Sequence, residues 1–127
     1  MLRLVLPALV SAAFLVSGCN VWAVDPARPC GPDSMTGPLR LLVPQGVGGA
    51  DFRPACRRHD ACYDTVGANK AACDRRYLRE MQCACHQSRH PILCRIVARL
   101  MYQATARYGD DAFRSAQRIA AGRLANP

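Results

Sequence analysis

Two cysteines flanking a glycine turn constrain this chain most. Cys62 and Cys73 stand nearly equidistant from Val66-Gly67-Ala68-Asn69, and helix-forming residues run away from that turn in both directions. Antiparallel helices joined by a short loop bring residues equidistant from the loop to the same height. His59 lies about eight residues before the turn and Asp74 about seven after it. At a rise of about 1.5 Å per residue both stand about 11 Å from the turn, facing each other. A Cys62–Cys73 bridge could clamp the pair just inside that level. Geometry therefore nominates Asp74 as the carboxylate that orients an imidazole at His59.

The run Cys56-Arg57-Arg58-His59-Asp60-Ala61-Cys62-Tyr63 concentrates the chemistry. On a helix, Cys56, His59 and either Cys62 or Tyr63 share a face. Asp60 sits beside the imidazole, close enough to hold an ion next to it. A base and a hard-cation ligand side by side suit ion-assisted hydrolysis.

A length of 127 residues allows one small domain. Arg3 is the only charge before Asp25, and Leu4 to Val16 is almost wholly apolar. That run is short for a membrane span and right for a signal-peptide core. Val16-Ser17-Gly18-Cys19 has the form of a bacterial lipobox. Residues 1–18 are accordingly expected to be a signal peptide, with Cys19 lipidated and the protein held in the bacterial cell envelope. Cleavage after a small residue such as Ala23, releasing a soluble secreted protein, is the alternative. Export makes oxidised cysteines expected. Eight are present, and with Cys19 set aside seven remain, an odd number. The formal charge of +8 is carried by arginine, Lys70 being the lone lysine. No nucleic-acid motif accompanies it, so the expected partner is a phospholipid membrane surface, anionic lipid favoured, and not nucleic acid.

Residues 19–53 are rich in proline and glycine and read as a tether and loops, with Leu39 to Val43 as a short strand. Residues 54–127 read as the helical domain. Pro54 opens a helix running to about Val66 and stopped by Gly67. Asn69 caps a second, from about Lys70 to Gln87. A third follows Pro91, with Ile92, Ile96, Val97, Leu100, Met101, Ala104 and Tyr108 on one stripe, and ends at Gly109. That periodicity fits a core face better than an exposed rim for docking on lipid. Asp110 or Asp111 caps a short fourth helix to about Ala121. The fold class is mainly α and cysteine-stapled.

Cys56, His59, Asp60, Cys62 and Tyr63 match every fixed position of C-x-x-H-D-x-C-Y, the signature of the secreted phospholipases A2. Cys73-Asp74-Arg75-Arg76-Tyr77 looks like their C-D-x-x-[FY] stretch. The chain resembles that superfamily over about residues 30–108, specifically across 52–77, and its third-helix region looks most like the compact bacterial and fungal branch. The resemblance implies two long antiparallel helices carrying the site and calcium-dependent hydrolysis of the sn-2 ester of glycerophospholipids. His59 becomes the general base, Asp74 its orienting partner, and Tyr63 a hydrogen-bond donor to Asp74. Asp60 becomes a calcium ligand. The resemblance also pairs Cys30 with Cys56 and Cys62 with Cys73. It bridges one of Cys83 and Cys85 to Cys94, and Cys85 is taken here.

The glycine-rich calcium loop departs from the family form Y-G-x-C-G-x-G. Its place is held by Arg28-Pro29-Cys30-Gly31-Pro32-Asp33, in which Pro29, Gly31 and Asp33 are the candidate ligands. Gly46-Val47-Gly48-Gly49 is the rival loop. That departure also supports an alternative function, a non-catalytic phospholipase-like lipoprotein that binds lipid or serves envelope structure. Cys83, Cys85, His86, His90 and Cys94 could instead form a zinc site, although oxidation after export would consume the thiols.

Overall fold

A computed structural model of the protein describes residues 28–32, 35 and 37–126. Cys19, Asp33 and the whole expected signal segment lie outside the described residues. The order of elements is a 3-10 turn at Gly37–Leu42, strands β1 (Gly46–Val47) and β2 (Ala50–Asp51), and helices α1 (Arg53–Tyr63) and α2 (Lys70–Ala84). A 3-10 turn at Cys85–Gln87 follows, and then α3 (Pro91–Tyr108) and α4 (Asp110–Ala125). The protein is mainly helical.

Local chemistry sets most of these boundaries. Asp51 Oδ1 accepts from the Arg53 amide at 3.0 Å and from its guanidinium at 2.8 Å, fixing the entry to α1. Pro54 sits in the first turn, where a missing amide hydrogen costs nothing. The buried residues of α1 are Ala55, Cys56, His59 and Tyr63, one stripe at helical spacing. Gly67 at φ 77° turns the chain, a backbone geometry that disfavours side chains. Asn69 caps α2 by accepting from the Ala72 amide at 2.9 Å.

Helix α2 is the central element, packed against both α1 and α3. The core between them contains Phe52, Ala55, Tyr77, Met81 and Ala98, with the disulfide cysteines interleaved. Cys30, Ala50 and Phe52 show that the chain before α1 contributes to the same core. Three disulfides between described residues join the parts: Cys30–Cys56, Cys62–Cys73 and Cys85–Cys94. Cys83 is oxidised as well, so no free thiol occurs among the described residues.

Several expectations change. Leu39 to Val43 forms no strand. Gly37–Leu42 is a 3-10 turn, with Arg40 bonding back to the carbonyls of Arg28 and Pro32 at 3.2 and 3.0 Å. The strands lie instead in the glycine-rich stretch, where Gly46 pairs with Asp51 and Val47 with Ala50. Helix α1 ends at Tyr63 rather than Val66, and α4 runs on to Ala125 from an N-cap at Gly109, with no carboxylate cap.

The apolar stripe read along α3 is also divided. Val97 and Met101 pack on the core, whereas Ile92, Ile96, Leu100 and Tyr108 are exposed. The buried line runs instead through Cys94 and Ala98. The Cys85–Cys94 bond fixes the rotation of α3, and Ala98 permits close approach to its neighbours. No helix among the described residues is long and apolar enough to cross a membrane.

Candidate active site

The α1–α2 pair brings His59 and Asp74 together. His59 Nε2 lies 2.8 Å from Asp74 Oδ1, as the symmetric spacing about Gly67 requires. Both side chains are buried, His59 at 7% and Asp74 at 2% exposure. The neighbouring Cys62–Cys73 bond fastens the two helices one step nearer the turn. A carboxylate acceptor on Nε2 assigns the ring hydrogen to that nitrogen, because an unprotonated nitrogen there would face lone pairs. Nδ1 is left as the acceptor. It points toward the exposed Asp60, whose Oδ1 stands 3.9 Å away, too far for a hydrogen bond.

Asp74 holds more than the imidazole. The Tyr63 hydroxyl donates to Oδ1 at 2.7 Å, and the Lys70 ammonium donates to Oδ2 at 3.0 Å. Burial pushes the Asp74 carboxyl upward, but the hydrogen bonds from His59, Tyr63 and Lys70 outweigh it and hold the group below the ordinary carboxylate range. Burial and the bond to Asp74 both push the Tyr63 hydroxyl strongly upward, so Tyr63 stays a neutral donor.

Aromatic rings confine the imidazole. Tyr63 lies against it with centroids 4.2 Å apart, and Tyr77 at 4.7 Å. The Tyr77 hydroxyl is 3.3 Å from Cys56 Sγ. Because that sulfur is in a disulfide and carries no hydrogen, the hydroxyl is the donor. Tyr63 in turn rests edge-on against Phe113 of α4 at 5.0 Å. Gln117 of α4 donates to the carbonyls of Tyr63 and Thr65 at 2.6 and 2.8 Å and accepts from the Gly67 amide at 2.9 Å. The fourth helix thus fastens the turn on which the site depends.

The structure places the other expected site residues as follows. Cys30 is joined to Cys56, one helical turn before Asp60, with Cα atoms 5.2 Å apart. The carbonyls of Arg28, Cys30 and Pro32 accept from Arg40 or Gln45. Pro29 and Gly31 receive no donor among the described residues. Asp60 is 63% exposed at its side chain. The rival loop Gly46–Gly49 is a hairpin tip at the other end of α2. Ser88 donates to the Val47 carbonyl at 2.8 Å and the Arg89 amide to the Gly48 carbonyl at 2.8 Å. Ser88 and Arg89 follow the C-terminal end of α2, whereas Asp74 stands in its second turn. The zinc alternative loses all three of its thiols, Cys85 and Cys94 to their mutual bond and Cys83 to oxidation.

Sequence reasoning missed the Lys70 bond to Asp74, the packing of Tyr77 on the imidazole and the α4 contacts. Lys70 had a signal: it stands four residues before Asp74 on one helix, where side chains meet. Phe113 and Gln117 had none, since their contacts cross about fifty residues of chain.

No protein-family model, curated protein or solved structure matches this chain. Fold and geometry together define a class, a small disulfide-stapled helical protein with a buried His–Asp–Tyr–Lys cluster spanning one helix pair.

Proposed function

We propose that this protein is a calcium-dependent phospholipase A2 that cleaves the sn-2 ester of glycerophospholipids. The observation that carries the reading is the His59–Asp74 pair, 2.8 Å apart, with Nδ1 turned to the Asp60 side. A histidine held this way, with Nε2 bonded to a carboxylate and Nδ1 left as acceptor, can serve as a general base. Its buried aspartate fixes the tautomer and stabilises the imidazolium once it forms.

The donor set fits calcium. Asp60 offers carboxylate oxygens, Pro29 and Gly31 offer carbonyls on the segment tied to Cys56, and all are hard oxygen ligands. Calcium held there would supply polarisation of the ester carbonyl and stabilisation of the oxyanion. The chain's own residues handle the proton. His59 Nδ1 accepts it from a water whose oxygen attacks the sn-2 carbonyl carbon. As the ester C–O bond breaks, His59 returns the proton to the departing lysophospholipid oxygen, leaving a fatty acid. Asp74 keeps the ring in place throughout, and Tyr63 keeps Asp74 in place. The exposed arginines suit an anionic lipid surface, and export would bring the enzyme to a membrane.

The test is fatty-acid release from sn-2-labelled phospholipid vesicles by the purified, oxidised protein, with calcium and with chelator. Release that needs calcium and disappears in His59→Gln is expected. Lipid association without turnover, across several headgroups, would establish the non-catalytic alternative instead.

A further inference from the structure

We infer that Lys70 is a positioning residue for the His59–Asp74 pair, locking the Asp74 carboxylate in the orientation that presents Oδ1 to the imidazole. Asp74 has two oxygens and three protein donors. Oδ1 takes His59 and Tyr63, while Oδ2 takes only Lys70, at 3.0 Å. The two donors on Oδ1 hold the carboxylate through one oxygen only. A cation on Oδ2 holds the second oxygen as well, so that any rotation about Cβ–Cγ must break bonds at both.

Lys70 is itself held from three directions. Its ammonium donates to the carbonyls of Thr105 and Ala106 at 3.3 and 3.1 Å, the last turn of α3, and lies 3.3 Å from Asp110 at the start of α4. Carbonyls at a helix C-terminus carry partial negative charge, so this position favours a cation. The side chain is largely shielded, at 17% exposure. In a shielded setting an ammonium beside a carboxylate acts more strongly than in open water. Lys70 therefore ties the orientation of Asp74 to the α3–α4 corner, a part of the molecule that does not touch the imidazole.

The consequence for turnover rests on the hydrolase reading, whereas the consequence for carboxylate orientation does not. Two readouts separate them. In calcium-free protein labelled with 15N, the hydrogen on His59 Nε2 should give a downfield, slowly exchanging proton resonance, because Asp74 Oδ1 accepts it. Lys70→Met should broaden that resonance or shift it upfield while circular dichroism stays that of the folded protein. On phospholipid vesicles the same variant should lose kcat by about 10–100-fold, the scale seen when an outer-shell partner is removed, with KM unchanged. Lys70→Arg, which keeps the charge, should recover both the resonance and most of kcat, and it decides the matter if Lys70→Met does not fold.

An unchanged resonance in folded Lys70→Met overturns the inference, even if activity falls. Loss of the resonance in folded Lys70→Arg overturns it equally. If the parent protein hydrolyses no phospholipid, the function proposed above fails while the resonance still tests Lys70.

Discussion

Asp74 is a buried anion whose cost of burial is met by three donors, each from a different position on α1 or α2. A buried carboxylate without such partners would take up a proton. The three differ in what their loss does. Tyr63→Phe keeps the ring against Phe113 and His59 but removes one hydrogen bond, so a loss of about 0.5–1.5 kcal/mol in urea unfolding is expected. Turnover in that variant should fall less than in His59→Gln, because the imidazole keeps its bond to Asp74. The depressed Asp74 carboxyl also sets a pH dependence. Its contribution to stability is present above the unfolded carboxyl value, about 3.9, and is lost as pH falls through the lower folded value. The urea midpoint should accordingly drop as pH is lowered below about 4. In Asp74→Asn, which starts less stable, this part of the acid dependence should be absent. An equally steep acid loss in that variant would assign the effect to other carboxylates.

At the scale of elements, α1 and α2 carry His59, Tyr63 and Asp74, and the Cys62–Cys73 bond holds them in register. The loop it closes is short, so replacing both cysteines with alanine should cost about 2–3 kcal/mol. A lowered melting temperature with helical content retained at 20 °C or so would fit a staple of a pair already packed, since Ala55, Tyr77 and Met81 remain in the core. Gln117 reaches the turn from α4 through three hydrogen bonds. Gln117→Ala should destabilise by about 1–3 kcal/mol, because it leaves backbone groups of the turn without partners. Thermal unfolding monitored at 222 nm would read that loss as a lower midpoint. The helix-pair spacing was legible beforehand because it depends on chain counting about Gly67. The path of α3 was not, because its rotation is set by the Cys85–Cys94 bond and by Ala98 against its neighbours, not by its own apolar period.

At the scale of the whole molecule, a net positive charge of +8 goes with large apolar residues that are exposed on α3. Ile92, Leu93, Ile96 and Leu100 are exposed on α3, a helix whose charged residues are all arginine. The expected outcome of sedimentation with vesicles is tighter association with anionic than with zwitterionic lipid. Raising salt from about 0.1 M to 1 M should weaken the anionic case, as the Debye length shrinks from about 10 to 3 Å. Equal, salt-insensitive association with both lipids would point to apolar contact alone. Parts of the basic surface are already engaged within the protein. Arg58 pairs with Glu80 at 2.8 Å, and Arg53 with Asp51 at 2.8 Å.

What the sequence by itself determined is whatever follows from local spacing. The signature around His59, the Gly67 turn and the cysteine positions set a helix pair, its height match and the His59–Asp74 partnership. These are short-range consequences of rise per residue and of chain reversal. Tertiary structure alone decided the rest. The ammonium of Lys70 reaches Asp74 by a local step, but its seat among Thr105, Ala106 and Asp110 exists only once α3 and α4 have met α2. The Gly46–Gly49 stretch became a hairpin because Ser88 and Arg89 supply partners for its carbonyls from across the fold. Such contacts depend on the path of the intervening chain, which no residue pattern along it specifies.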